Sequence, residues 1–386
     1  MGGALRVYTP APENREHLAS EAGTWAPLAH AGPQPIFLHG MWRSGTTFVW
    51  SRFRAAEGVT AYFEPLSPAL GRLTRRRIRR EGWREAMARS RHPLMDQPYF
   101  AEYEPLVRGR GVERYYRSFA AHQFPRLPAE RDPDLEVYLA SLLTHAWDLG
   151  RRPVLGFVLT GLRMGRLRAA FGAYDVHIDR DPLAIWASYQ RHAAEGTYNF
   201  FAGLFWILER NASHPLITPL AERFRLRSGL EKMVKPRIYY RDTIDALAPT
   251  ESYGLVYYFW LLSLLHAASH ADLILDMSQA EEPGYARGLE ARLQRDCGLE
   301  VGFEGLQAVR QPQLLPLFDR LAAEARVLDL LPLGSAAPFF DADRVRSRLG
   351  ELTPLKAEIL ARVLAKAEGY PKVDETPSLR EDPQEP

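Results

Sequence analysis

Gly40, Arg43, Ser44, Gly45, Thr46 and Thr47 fall within eight residues, GMWRSGTT, one histidine after the apolar run PIFL. A strand that turns through glycines into a helix presents backbone N–H groups and the positive end of the helix dipole to an anion. Here the glycines permit the tight backbone and the threonines supply hydroxyls at the helix start. Arg43 adds a permanent charge that can bond phosphate or sulfate oxygens in pairs. The spacing Gly40-x4-Gly45 fits the triphosphate loop G-x-x-x-x-G-K-[ST], except that Thr46 stands where that loop needs its lysine. The same residue types also suit a plain strand-to-helix turn.

Three more groups have chemical capacity. In VHIDRDPLAIWASYQRH, Arg180 ends a strand and Ser188 lies in the helix that follows, so both can converge on one set of phosphate oxygens. Asp181 and Pro182 equally read as a helix start, one capping and the other in the first position. In AYFEPLSP, Glu64 at a strand end is either a proton acceptor for a nucleophile or a carboxylate bonded to backbone or arginine. Asp276 ends the apolar run LILD, where a kinase or NTPase would hold magnesium.

The elements that must position these groups alternate. PIFLHG precedes TTFVWSRFRAA, VLGFVL precedes MGRLRAAF, YDVHID precedes PLAIWASYQRHAA, and ADLILDM precedes GLEARLQRDC. Strands joined by helical crossovers predict an α/β fold with a central parallel sheet, and apolar runs without alternation predict strands covered on both faces. We divide the chain into an N-terminal extension (1–34), a single α/β domain (35–370) and a proline-rich, charged tail (371–386) expected to be disordered. Two helical insertions, about 66–150 and 197–248, interrupt the alternation. Ligands of open parallel sheets bind beyond the carboxyl ends of the strands.

GMWRSGTT resembles the 5′-phosphosulfate loop, G-x-P-[RK]-S-G-T-T, of sulfotransferases that use 3′-phosphoadenosine 5′-phosphosulfate, with Trp42 in place of the usual proline. Arg180 and Ser188 match the spacing of that family's 3′-phosphate element, and AYFEPLSP resembles the FEP element of its carbohydrate-type members. LILDMSQ and the helix after it resemble the family's late strand more loosely, with Asp276 in the acidic place. The resemblance spans about Pro35 to Val301 and implies a P-loop-like three-layer fold and sulfuryl transfer to a hydroxyl or amine, without a metal. It implies that Arg43, Ser44, Gly45, Thr46 and Thr47 hold the phosphosulfate, that Phe48 faces adenine, and that Arg180 and Ser188 hold the 3′-phosphate. Glu64 becomes the catalytic base and Arg43 the cation that stabilises developing charge. No lysine follows VLGFVL where relatives carry one, so Arg163 is the nearest substitute; Arg241 and Arg310 are candidates for the family's C-terminal 3′-phosphate contact. The FEP element points to a glycan or small-metabolite acceptor. Rival readings are a magnesium-dependent kinase or NTPase using Asp276, and a non-catalytic protein that retains the nucleotide site.

The rest of the chain narrows the alternatives. A net charge of +2 gives no global case for nucleic acid, and Cys297, the single cysteine, excludes an intrachain disulfide and a multi-cysteine metal site. The N-terminus has no continuous apolar run, so a cytoplasmic protein is expected. Ser252 to Ala271 is uncharged and long enough to span a bilayer, but it contains His266 and His270 and reads as a buried core helix. Those histidines share a helical face, yet Ala267 stands where H-E-x-x-H needs glutamate, so they read as structural. His39 and His177 read as core residues on strands. Residues 72–91 carry nine arginines against two glutamates and read as a solvated helix face or an acceptor-gating patch.

Overall fold

The computed structural model describes residues 32–80, 95–121, 132–224, 240–307, 318–336 and 339–369. Five strands, β1 (Ile36–Gly40), β2 (Val59–Phe63), β3 (Arg152–Gly156), β4 (Tyr174–Asp179) and β5 (Leu273–Asp276), form one parallel sheet in the order β2-β3-β1-β4-β5. The chain leaves β1 for β2 on one side and leaves β3 for β4 on the other. The neighbouring carboxyl ends of β1 and β3 are therefore the topological switch point of the sheet, where open α/β sheets bind their ligands. This is the α/β architecture that the alternating strand and helix patterns predict.

Helices cover both faces. We label α1 (Thr46–Ala55), α2 (Pro133–Asp148), α3 (Met164–Phe171), α4 (Pro182–Ala194), α5 (Asn199–Arg210), α6 (Pro249–His270), α7 (Tyr285–Cys297), α8 (Arg320–Leu330), α9 (Ala342–Ser347) and α10 (Pro354–Glu368), leaving shorter turns unlabelled. Ile36, Leu38, Val176, Ile178, Leu273 and Leu275 pack with Trp50 and Phe53 of α1 and Leu289 and Leu293 of α7, so this layer is apolar throughout. The alternate positions bring His39, Asp175, His177, Asp179 and Asp276 to the other face, where they are buried. Registers Leu38↔Val176 and Asp179↔Asp276 keep these two sets apart across the central strands.

The apolar run around residue 260 is a core helix as expected. Seventeen residues of α6 are buried, and no helix among the described residues is long and apolar enough to cross a membrane. Asp181 caps α4 through bonds from the Leu183 and Ala184 N–H groups (2.7 and 3.3 Å), with Pro182 in the first turn. The described part of the arginine run differs from a continuous helix. Thr74 caps a helix of only five residues, Arg75–Arg79, after which Arg80 is extended. Residues 81–91 of that run, residues 1–31 of the N-terminal extension, the tail from 371 and Arg310 lie outside the described residues.

Candidate active site

The loop between β1 and α1 owes its shape to glycines and to its own serine. Gly40 must lack a side chain because a Cβ there would come within 2.8 Å of the Ile178 carbonyl and 2.7 Å of Ser44 Oγ. Gly45 begins α1 at φ 104°, no side chain caps that helix, and its first turn contains no acidic residue. The first N–H groups of α1 thus keep their affinity for an anion. Thr46 and Thr47 are largely buried at this turn, and Phe48 packs half-buried against the apolar layer. Ser44 is spent inside the loop: its Oγ donates to the Met41 carbonyl (2.8 Å), so its hydroxyl proton shapes the turn.

Trp42 has a packing role that its place in the sequence conceals. Its indole lies beside Phe200 (6.1 Å between centroids) and over Gly203 of α5, where an added Cβ would fall 2.4 Å from the ring. Tyr189 of α4 donates to the Trp42 carbonyl (3.3 Å). An aromatic side chain thus fastens the loop to the second insertion, a task proline could not perform.

The predicted cations meet. Arg43, at φ 67°, donates from Nε to Ser188 Oγ (3.0 Å), and its guanidinium lies 5.8 Å from the Phe200 ring centre. Arg180 donates from Nη1 to the Arg43 carbonyl (2.8 Å). Burial first, then neighbouring Arg43 and Arg191, lower the Arg180 pKa to about 10 against the pull of Asp181. A guanidinium destabilised by burial and by like charges concentrates positive potential at the loop. Arg163 is almost wholly buried in the turn after β3. Arg241 is exposed and paired with Asp242 (3.1 Å), so it is engaged at the surface.

Glu64 sits at the end of β2, across β3 from the loop. Its N–H bonds the Gly156 carbonyl (2.8 Å), and the chain then turns through φ 42°. Three phenols of the first insertion hold that turn by carbonyls on both sides of Glu64: Tyr103 donates to Phe63 (3.1 Å), Tyr138 to Pro65 (2.9 Å) and Tyr115 to Leu66 (3.3 Å). Part of the Glu64 side chain stays open, yet the crowding around its carboxyl raises the pKa to about 7, with a hydrogen bond from Ser67 opposing the shift. Tyr99, stacked on Phe63 (4.6 Å), has its pKa raised by burial and then by Glu64, and lowered by Arg43 and Arg54. Glu64 and Arg43 therefore act electrostatically on the same phenol. Arg43, Glu64 and Leu159 follow β1, β2 and β3, and among the described residues Arg114 is the one other non-glycine with positive φ. Backbone strain is concentrated at the carboxyl edge of the sheet.

Behind this edge lies a buried polar layer. His39 reaches Asp175 through Nε2 (3.0 Å) and Thr160 through Nδ1 (2.9 Å), all three fully enclosed, so this trio is structural as expected for His39. Burial lowers the His177 pKa to about 3, leaving that ring neutral. His266 is likewise committed, facing the Phe339 carbonyl through Nδ1 (2.6 Å). Sequence reasoning missed Lys356 of α10. Its ammonium contacts Asp179 and lies 2.6 Å from Asp276 Oδ2, at the carboxyl ends of β4 and β5. Asp276 Oδ1 accepts from the Ser278 N–H (2.9 Å) and hydroxyl (2.5 Å), so both of its oxygens are engaged. Apolar runs had marked the strands, but nothing near Lys356 in the sequence marks it as a partner of two distant aspartates. Neither a family model nor a curated protein sequence matches the chain.

Proposed function

We propose that the chain transfers a sulfuryl group from 3′-phosphoadenosine 5′-phosphosulfate to a hydroxyl or amine of a glycan or small metabolite. The observation that carries this reading is the joining of Arg43, Arg180 and Ser188 at an uncapped helix start. Two guanidiniums there suit a ligand with two separated anionic ends, and the N–H groups of Thr46 and Thr47 suit the end nearer the helix. In the transfer, the acceptor oxygen or nitrogen forms its bond to sulfur as the bond from sulfur to the bridging phosphate oxygen breaks. Glu64 takes the acceptor's proton, and Arg43 stabilises the charge that builds on the departing adenosine 3′,5′-bisphosphate. A carboxyl with a pKa of about 7 is suited to that work near neutral pH.

The magnesium-dependent reading is the weaker one, because Asp276 is engaged by Lys356 and Ser278. Calorimetric titration with adenosine 3′,5′-bisphosphate tests the proposal: saturable binding without added metal is expected. Binding of ATP with magnesium, and none of the bisphosphate, would overturn it.

A further inference from the structure

Lys356 stands where helix electrostatics disfavour it. It lies in the first turn of α10, whose N-terminal end repels a cation, and it is nearly completely buried. Burial works against its charge, yet Asp179 and Asp276 outweigh that cost and hold its pKa above the ordinary value. The remaining bonds of these acids keep them in place: Trp260 Nε1 donates to Asp179 Oδ1 (2.8 Å), while Ser278 holds Asp276. Docking of α10 does not depend on the lysine, because Ile359, Leu360, Val363 and Leu364 bury an apolar face in the core shared with α6.

The position of the trio gives it a consequence for the loop. Asp179 directly precedes Arg180, and Asp276 directly precedes Met277, whose side chain packs against Gly45; an added Cβ there would lie 3.1 Å from it. Two carboxylates at these points would oppose an anion at the loop and attract a divalent cation, since paired carboxylates at strand ends are good ligands for one. An ammonium between them cancels one charge and occupies the space between their oxygens.

We propose that Lys356 is a resident counter-cation that determines the ligand preference of this edge: it keeps the loop receptive to a phosphate or sulfate ester without a divalent metal. This rests on reading the loop as an anion site. Removing the lysine should convert the paired aspartates into a divalent-cation site and weaken the anion site beside it.

The test uses the full chain, Lys356→Met, and the double variant Lys356→Met/Asp276→Asn, which restores the net charge of the trio. Manganese and adenosine 3′,5′-bisphosphate are titrated separately and together by calorimetry, with folding checked by circular dichroism. Lys356→Met should gain saturable manganese binding absent from the wild type. It should also lose bisphosphate affinity by on the order of tenfold to a hundredfold, a loss that manganese reverses. The double variant should lose the manganese site and regain the affinity. Folded Lys356→Met with wild-type bisphosphate affinity and no manganese site would overturn the inference. So would a double variant as weak as the single one. If the wild type binds no bisphosphate, the functional reading fails, and gain or absence of manganese binding in Lys356→Met still decides the role of the lysine. Should that variant not fold, bisphosphate affinity of the charge-balanced double variant decides it.

Discussion

On one side of the switch point Arg180 is bonded to the Arg43 carbonyl and Arg43 to the Ser188 hydroxyl, whereas on the other the turn at Glu64 is held by neutral phenols. On the first side, guanidiniums lie close enough for Arg43 to depress the pKa of Arg180, and the helix start they surround has no acid. On the second, Tyr103, Tyr115 and Tyr138 fix the carbonyls of Phe63, Leu66 and Pro65 without supplying a charge that would stabilise the carboxylate. The difference teaches what each side is suited to do. The charged side favours an anion at all pH values in the working range, while the phenol-held carboxyl can gain and lose a proton near neutrality.

The comparison is broken most severely at Glu64. Glu64→Gln should reduce sulfuryl transfer by about a hundredfold to ten-thousandfold, while leaving bisphosphate affinity within a factor of about two. In the wild type, transfer should rise with pH through a limb near 7, and that limb should vanish in the residual activity of the variant. Steady-state rates and calorimetry together check it; equal losses in rate and in bisphosphate binding would show that the two sides are not separable. The charged side gives the next effect. Arg180→Ala should weaken the bisphosphate by about tenfold to a hundredfold, the loss typical of a charge-assisted bond, and unchanged affinity would remove Arg180 from the site.

The sequence made the charged side more legible than the phenol-held one. The loop and the Arg180 element are local patterns, each a strand end followed by a helix start, and β4, α3 and α4 fall on the runs that mark them. Glu64 was visible as a strand-end carboxylate, but its pKa is raised by burial in the folded chain, which no local spacing records, so the cause of the shift was not. Trp42 appeared only as a departure from proline, because its explanation is Gly203, in a helix far along the chain. Lys356 was invisible for the same reason, as ion pairs between distant elements leave no spacing to read. The short helix at Arg75–Arg79 shows the reverse case, where a continuous charge run did not produce a continuous helix in its described part.

Stability separates the two sides by pH. The Glu64 pKa rises from an ordinary 4.5 to about 7 in the fold, so between these values the folded state binds more protons than the unfolded chain. Stability contributed by this group therefore falls as pH rises through that window, and the penalty is absent below it and complete above it. Glu64→Gln removes the penalty. The variant should match the wild type near pH 4 and exceed it by about 2 kcal/mol at pH 8, less than the full shift implies because the side chain is partly open to water. Urea midpoints at the two pH values check this, and a variant destabilised equally at both would place the carboxyl in a purely structural role.

The smallest expected effect is the one that tests whether the phenols position the carboxyl or only support the fold. Tyr138→Phe removes the donor to the Pro65 carbonyl together with the hydroxyl that Tyr103 also bonds, and should cost about 1 kcal/mol of stability. A supporting role ends there. If the bond also fixes the Glu64 turn, loosening it lets water approach the carboxyl, so the activity limb near 7 should move toward the ordinary carboxylate range. The maximal rate should fall about fivefold to tenfold with bisphosphate affinity unchanged, as positioning by one neutral hydrogen bond would give. A lowered melting temperature with an unmoved limb and an unchanged rate would assign Tyr138 to the core alone. The neutral clamp would then rest on Tyr103 and Tyr115, which bond the carbonyls on either side of Pro65 and are open to the same substitution.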